Sequence, residues 1–237
     1  LVMRFKKFLS VVCAGCMALS VMPFASAADA SISMDSSMAS VKALAYMDLE
    51  SAPVAMQDDI LRAREQIIFG DQAWTVDGAV SLIYADGTVE MLPEFSDLYP
   101  GWDIPTRDIS ESNYTECLTP YSTSVDIEEQ ISFTMAVTWA NSKDFTQFTG
   151  TGDYVYVYAK SLPRDAYFNI GFASGVGTNL GWCPNLNKSV GAKIDTNAGK
   201  VYNVRGSAAD KASEGKYRIA INSDEADAME WLEPMLP

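Results

Sequence analysis

The chain has 237 residues, 48% of them hydrophobic, with 17 Lys and Arg against 31 Asp and Glu, no histidine, and a formal charge of −14. Apolar content at this level supports a folded core. The acidic surface argues against nucleic acid as a partner, because it repels phosphates. The lack of histidine excludes Ser-His-Asp and Cys-His hydrolysis, and histidine-bound zinc, within one chain.

Arg4, Lys6 and Lys7 precede an apolar run from Phe8 to Phe24, and Ala25-Ser26-Ala27 comes next as a small-x-small triplet. That order is the layout of a secretory signal peptide over residues 1–27, with cleavage before Ala28. A membrane anchor is the competing reading. Ser10, Gly15, Ser20 and Pro23 interrupt the run, whereas a spanning helix wants about 20 mostly apolar residues. The expected product is secreted and extracellular, with no membrane association after cleavage.

Residues 28–52 are small, polar and Met-rich, and are expected to be mobile or partly helical. The next span predicts a helix over 53–69. Pro53 suits a first turn, Met56, Ile60, Ala63 and Ile67 share one face, and Gly70 is placed for a left-handed cap. The period then changes to two. Ala79–Tyr84 and Thr88–Leu92 flank Asp86-Gly87, a hairpin signal. Pro93, Pro100, Gly101 and Pro105 make residues 92–105 an irregular loop, which carries Phe95, Tyr99 and Trp102. Residues 53–110 therefore read as a helix, hairpin and aromatic-loop unit.

Residues 111–222 read as β-structure. Ile131, Phe133, Met135, Val137 and Trp139 alternate with smaller or polar residues. Asp153–Lys160, Tyr167–Phe172, Val201–Arg205 and Tyr217–Asn222 are further strands. No helical pattern intervenes. The expected fold is mainly β: an antiparallel β-sandwich of jelly-roll or immunoglobulin-like kind, preceded by the small helix-plus-hairpin unit. Its cadence, GDYVYVYAKSLP and later GKYRIAIN, is similar to that of small sandwich modules appended to secreted bacterial enzymes. Residues 223–237 form a short helix and tail, opened by the capping-box pattern Asn222-Ser-Asp-Glu225.

Cys13 and Cys16 would leave with the leader, and Cys117 and Cys183 are expected to form one disulfide. Tyr154, Tyr156 and Tyr158 share a strand face at steps of about 7 Å. Such a row suits the apolar faces of sugar rings; cross-strand packing is the alternative. Gly171–Pro184 is read as a glycine-rich loop presenting Trp182. Tyr154, Tyr156, Tyr158 and Trp182 are the ligand-binding candidates. Gly175 and Gly177 precede no helix pattern, so a dinucleotide site is rejected. Asp195-Thr-Asn197-Ala-Gly199 lacks the later Glu of a calcium loop and reads as a turn. No catalytic residue, metal or cofactor is assigned.

The sequence points to a secreted, non-enzymatic binding or surface-interaction protein whose partner is an extracellular glycan or protein. The alternatives are a histidine-free glycoside hydrolase using paired carboxylates, from Glu116, Asp126, Glu128 and Glu129, or an accessory module of a partner enzyme. Intact mass of the exported chain should place Ala28 at the N-terminus; a retained leader would overturn the processing expectation.

Overall fold

The computed structural model describes residues 38–106, 124–136 and 142–234. The leader, Glu116, Cys117 and Trp139 lie outside the described residues. The chain divides into two units, one running to Ile60 and one beginning at Leu61.

In the first unit, a helix over residues 38–45 (α1) leads through turns into α2, Val54–Ile68, which runs across the division. Ala45 and Ile60 are fully buried. Gln57 Nε2 donates to Leu49 O and Ala52 O, 3.3 Å each, tying the turns to the helix. α2 falls within one residue of its predicted ends.

The second unit is a two-sheet antiparallel sandwich. Its strands are β1 Trp74–Thr75, β2 Val80–Tyr84, β3 Val89–Met91, β4 Asp126–Phe133, β5 Lys143–Thr149 and β6 Tyr154–Ser161. They continue as β7 Phe168–Ser174, β8 Asn179–Leu186, β9 Val190–Asp195, β10 Val201–Ala208 and β11 Gly215–Asn222. Two short helices, α3 Phe95–Leu98 and α4 Glu225–Trp231, complete it. One sheet has the order β1-β8-β7-β10-β5, the other β3-β2-β9-β6-β11-β4. The hairpin is thus part of the sandwich: β1 edges one sheet and β2–β3 edge the other.

Period-two alternation builds the core. Val155, Val157 and Ala159 of β6 pack with Ile194 of β9 and Ile219 and Ile221 of β11. Phe168, Ile170 and Phe172 of β7 and Val204 of β10 join the same cluster. Burying each large side chain contributes about 1.5–3 kcal/mol. Glycines set how closely chains approach. A Cβ on Gly181 would stand 2.6 Å from Val80 Cγ2, and one on Gly206 2.5 Å from the Phe133 ring.

Several predicted elements shift. The strand expected over 131–139 begins at Asp126 and ends at Phe133, because β11 pairs with it along that whole register. The aromatic loop contains one helical turn, α3. The glycine-rich stretch 171–184 is not a long loop but the β7–β8 hairpin, turning at residues 175–178. Pro184 obscured β8: it sits with Asn185 (φ 57°) in a bulge opposite Asn169, whose Oδ1 accepts from Asn185 N. The Asp86-Gly87 hairpin forms with a three-residue loop, Gly87 taking φ 80°.

Gly206→Ala should cost about 1–3 kcal/mol, because the added methyl meets an aromatic ring in a filled core. Urea unfolding checks this; an unchanged midpoint would mean that the Phe133 ring yields freely.

Candidate functional site

The predicted aromatic row is divided by the fold. Tyr154 is 42% exposed, while Tyr156 and Tyr158 are 3% and 0% exposed. All three point to the outer face of their sheet, and α4 lies across the latter two. Tyr156 Oη donates to Glu225 Oε2 at 3.0 Å, and Tyr158 Oη to Asp227 Oδ2 at 2.8 Å. Ile83, Ala220, Ala228 and Leu232 pack with them. Asp224 caps α4 by accepting from Ala226 N, and Lys160 and Lys188 approach the Trp231 ring at 5.0 and 5.8 Å. The row is therefore a helix-docking surface with one exposed ring. Lys193 Nζ lies 3.7 Å over that ring's centroid.

Trp182 is 2% exposed, within β8 and opposite Trp74. Its Nε1 donates to Gly70 O at 2.8 Å, and Trp74 Nε1 donates to Ile68 O at 2.7 Å. Tyr99 Oη adds a bond to Ile67 O at 3.3 Å. The Trp74 bond satisfies a terminal carbonyl of α2, the Tyr99 bond adds to the one Gly70 N already makes to Ile67 O, and the Trp182 bond holds the residue two places past the helix. Gly70 does not take the expected positive φ; indoles perform the capping instead. The aromatics of the predicted loop, Phe95, Tyr99 and Trp102, pack around both tryptophans.

Cys183 is a free, fully buried thiol, and burial pushes its pKa up. No disulfide joins the described residues, and Cys117 lies outside them. Glu128, a carboxylate candidate, is held by Arg218 (Nε to Oε1 2.8 Å) and Lys160 (3.2 Å). Its pKa is lowered chiefly by the Arg218 hydrogen bond. That is an exposed cross-strand ion cluster. Among the described residues no group of three or more acidic or sulfur ligands stands ready for a metal.

Sequence reasoning passed over a cavity of about 750 Å³ at one end of the sandwich. Three turns build it: residues 76–79 between β1 and β2, 175–178 between β7 and β8, and 196–200 between β9 and β10. Val76, Ala79, Leu180 and Val201 supply apolar wall; Asp77, Asp195, Asn197 and Lys200 supply polar groups. Each turn is fastened. Asp77 and Gly78 take φ of 53° and 66°, and both N–H groups donate to the Glu94 carboxylate at 3.0 and 2.7 Å. Gly177 N donates to Ser174 O at 2.9 Å, and Asn203 Nδ2 reaches the same carbonyl at 3.0 Å. Asn197 N donates to Tyr202 Oη at 2.7 Å, and Thr196 Oγ1 to Asp153 O at 2.5 Å. Gly150 lets the last turn close in, since a Cβ there would stand 2.5 Å from Asn197 O. The sequence reading passed over the Asp77-Gly78 turn dipeptide, the one local signal at this site; its partner Glu94 lies too far along the chain to be read.

No protein-family model matches the sequence, and no curated protein aligns with it significantly.

Burial, then the Asp227 bond, raises the Tyr158 pKa, and burial, then the Glu225 bond, raises that of Tyr156. Burial pushes Tyr217 up to about 12. The folded chain keeps these protons where the unfolded chain, with tyrosines near 10, releases them. The stabilisation is complete below about pH 10 and is lost progressively as pH rises above it, the Tyr217 share being gone above about 12. Unfolding midpoints should fall over that interval as phenolate absorbance rises, and less steeply in Tyr158→Phe. Equal slopes for both proteins would refute the assignment.

Proposed function

We propose that the chain is a secreted, non-enzymatic binding protein, and that the sandwich-end pocket is its ligand site. The pocket itself carries this reading. A volume of about 750 Å³ lies within the usual range for small-ligand sites, roughly 300–1,000 Å³, which combine apolar walls with a few polar groups. Turns on a rigid sandwich are the usual place for recognition. Here they are fastened before any ligand arrives, which lowers the ordering cost of binding. The ligand is of disaccharide or dipeptide size, free or as the end of an extracellular glycan or protein chain.

The two carboxylates in the pocket, Asp77 and Asp195, bear on the hydrolase alternative. A two-carboxylate hydrolase keeps one acid protonated by desolvation. Both aspartates are exposed, so binding is the better-supported use of the pocket.

The test is a ¹⁵N-edited NMR screen of the folded chain against a fragment set containing mono- and disaccharides and short peptides. Hits should shift the amides of Asp77, Gly78, Gly177, Asn197 and Lys200 together. Asn197→Trp, at an exposed turn position, should abolish those shifts and leave the remaining spectrum intact. Hits confined to other surfaces would overturn the assignment.

A further inference from the structure

We propose that the pocket selects a zwitterionic ligand with an apolar body, of the class of a short apolar peptide with a free amino group and a free carboxylate. This rests on the pocket being the ligand site, and deepens that reading by naming the chemistry it takes.

The observation is a set of opposite charges that share one cavity without pairing. Asp77, Asp195 and Lys200 all line it. Among the described residues none of the three side chains makes a hydrogen bond or ion pair. Where opposite charges come within reach of one another in this protein they do meet, as Glu128 with Lys160, Lys188 with Glu233, and Arg205 with Asp144. Lys200 therefore stands farther from either carboxylate than an ion pair spans. A ligand whose own charges are separated by a short chain meets both signs at once. The cavity of about 750 Å³ has room for a dipeptide between them.

Two further features agree. Val76, Ala79, Leu180 and Val201 give the middle of the ligand an apolar wall. The formal charge of −14 draws a cationic group toward the surface and repels an anion that carries none. Two aspartates against one lysine repeat that preference in the pocket itself. A neutral sugar would leave all three charges without a counterpart.

Four probes test this by NMR titration at low salt: Leu-Leu, N-acetyl-Leu-Leu, Leu-Leu-amide and the doubly capped dipeptide. Leu-Leu should shift the amides around Asp77, Gly177 and Asn197–Lys200, and each cap should weaken binding about ten-fold or more, as loss of a charge-assisted bond does. The double variant Asp77→Asn/Asp195→Asn should erase the penalty of the N-acetyl cap alone. Lys200→Met should erase the penalty of the amide alone. These positions are exposed, and unchanged dispersed spectra would show that each variant is folded. Capped and free peptides binding equally at these amides would overturn the charge inference and leave the pocket standing. Cap penalties that survive both variants would also overturn it. If no peptide and no fragment of the wider set shifts these amides, the pocket reading falls as well.

Discussion

The inner faces of β6, β9 and β11 bury a common core against β7 and β10, and the remaining architecture hangs on that contact. It needs side chains alternating in and out with strict period two, since a one-residue slip would send every apolar group to the wrong face. It also needs places where sheets come close without a side chain between them. Gly181 against Val80, and Gly206 against Phe133, are such places. Glycines that look like loop residues in the sequence are here a requirement of tight packing.

Both sheets use their outer faces as well. On one, the last turn of α2 ends among Trp74, Trp182 and Tyr99, whose polar tips donate to the carbonyls of Ile68, Gly70 and Ile67. On the other, α4 lies over Tyr156 and Tyr158 and presents carboxylates to their phenols. Aromatic residues with one polar atom suit this task, because the ring is buried while its donor meets a backbone or acidic acceptor. The same chemistry that suggested a sugar platform thus serves to dock helices.

Away from these two faces, the turns at one end of the sandwich enclose a cavity of about 750 Å³ with polar groups on its wall. The strain of a non-glycine residue at positive φ, Asp77, is held by Glu94, which accepts from two successive N–H groups. Strained positions fixed by their surroundings recur at functional sites. Asp77 sits on such a position and lines the cavity.

The sequence by itself determined the class of fold, the length of α2, the β2–β3 hairpin, the rhythm of β6, β10 and β11, and a C-terminal helix. These signals are local: hydrophobic period, turn residues and capping residues act within a few positions. Only the tertiary structure decided which faces are covered. Tyr154 and Tyr158 have identical side chains on one face of one strand, yet one is exposed and the other buried. The reason is that α4 arrives from far along the chain and stops short of the first; its Tyr158–Asp227 bond spans 69 positions. β8 was hidden by Pro184 and its glycines until β7 paired with it across a bulge. The pocket joins residues 76–79, 174–180 and 195–202, segments that no spacing rule connects, since their meeting depends on the order of strands in two sheets rather than on distance along the chain.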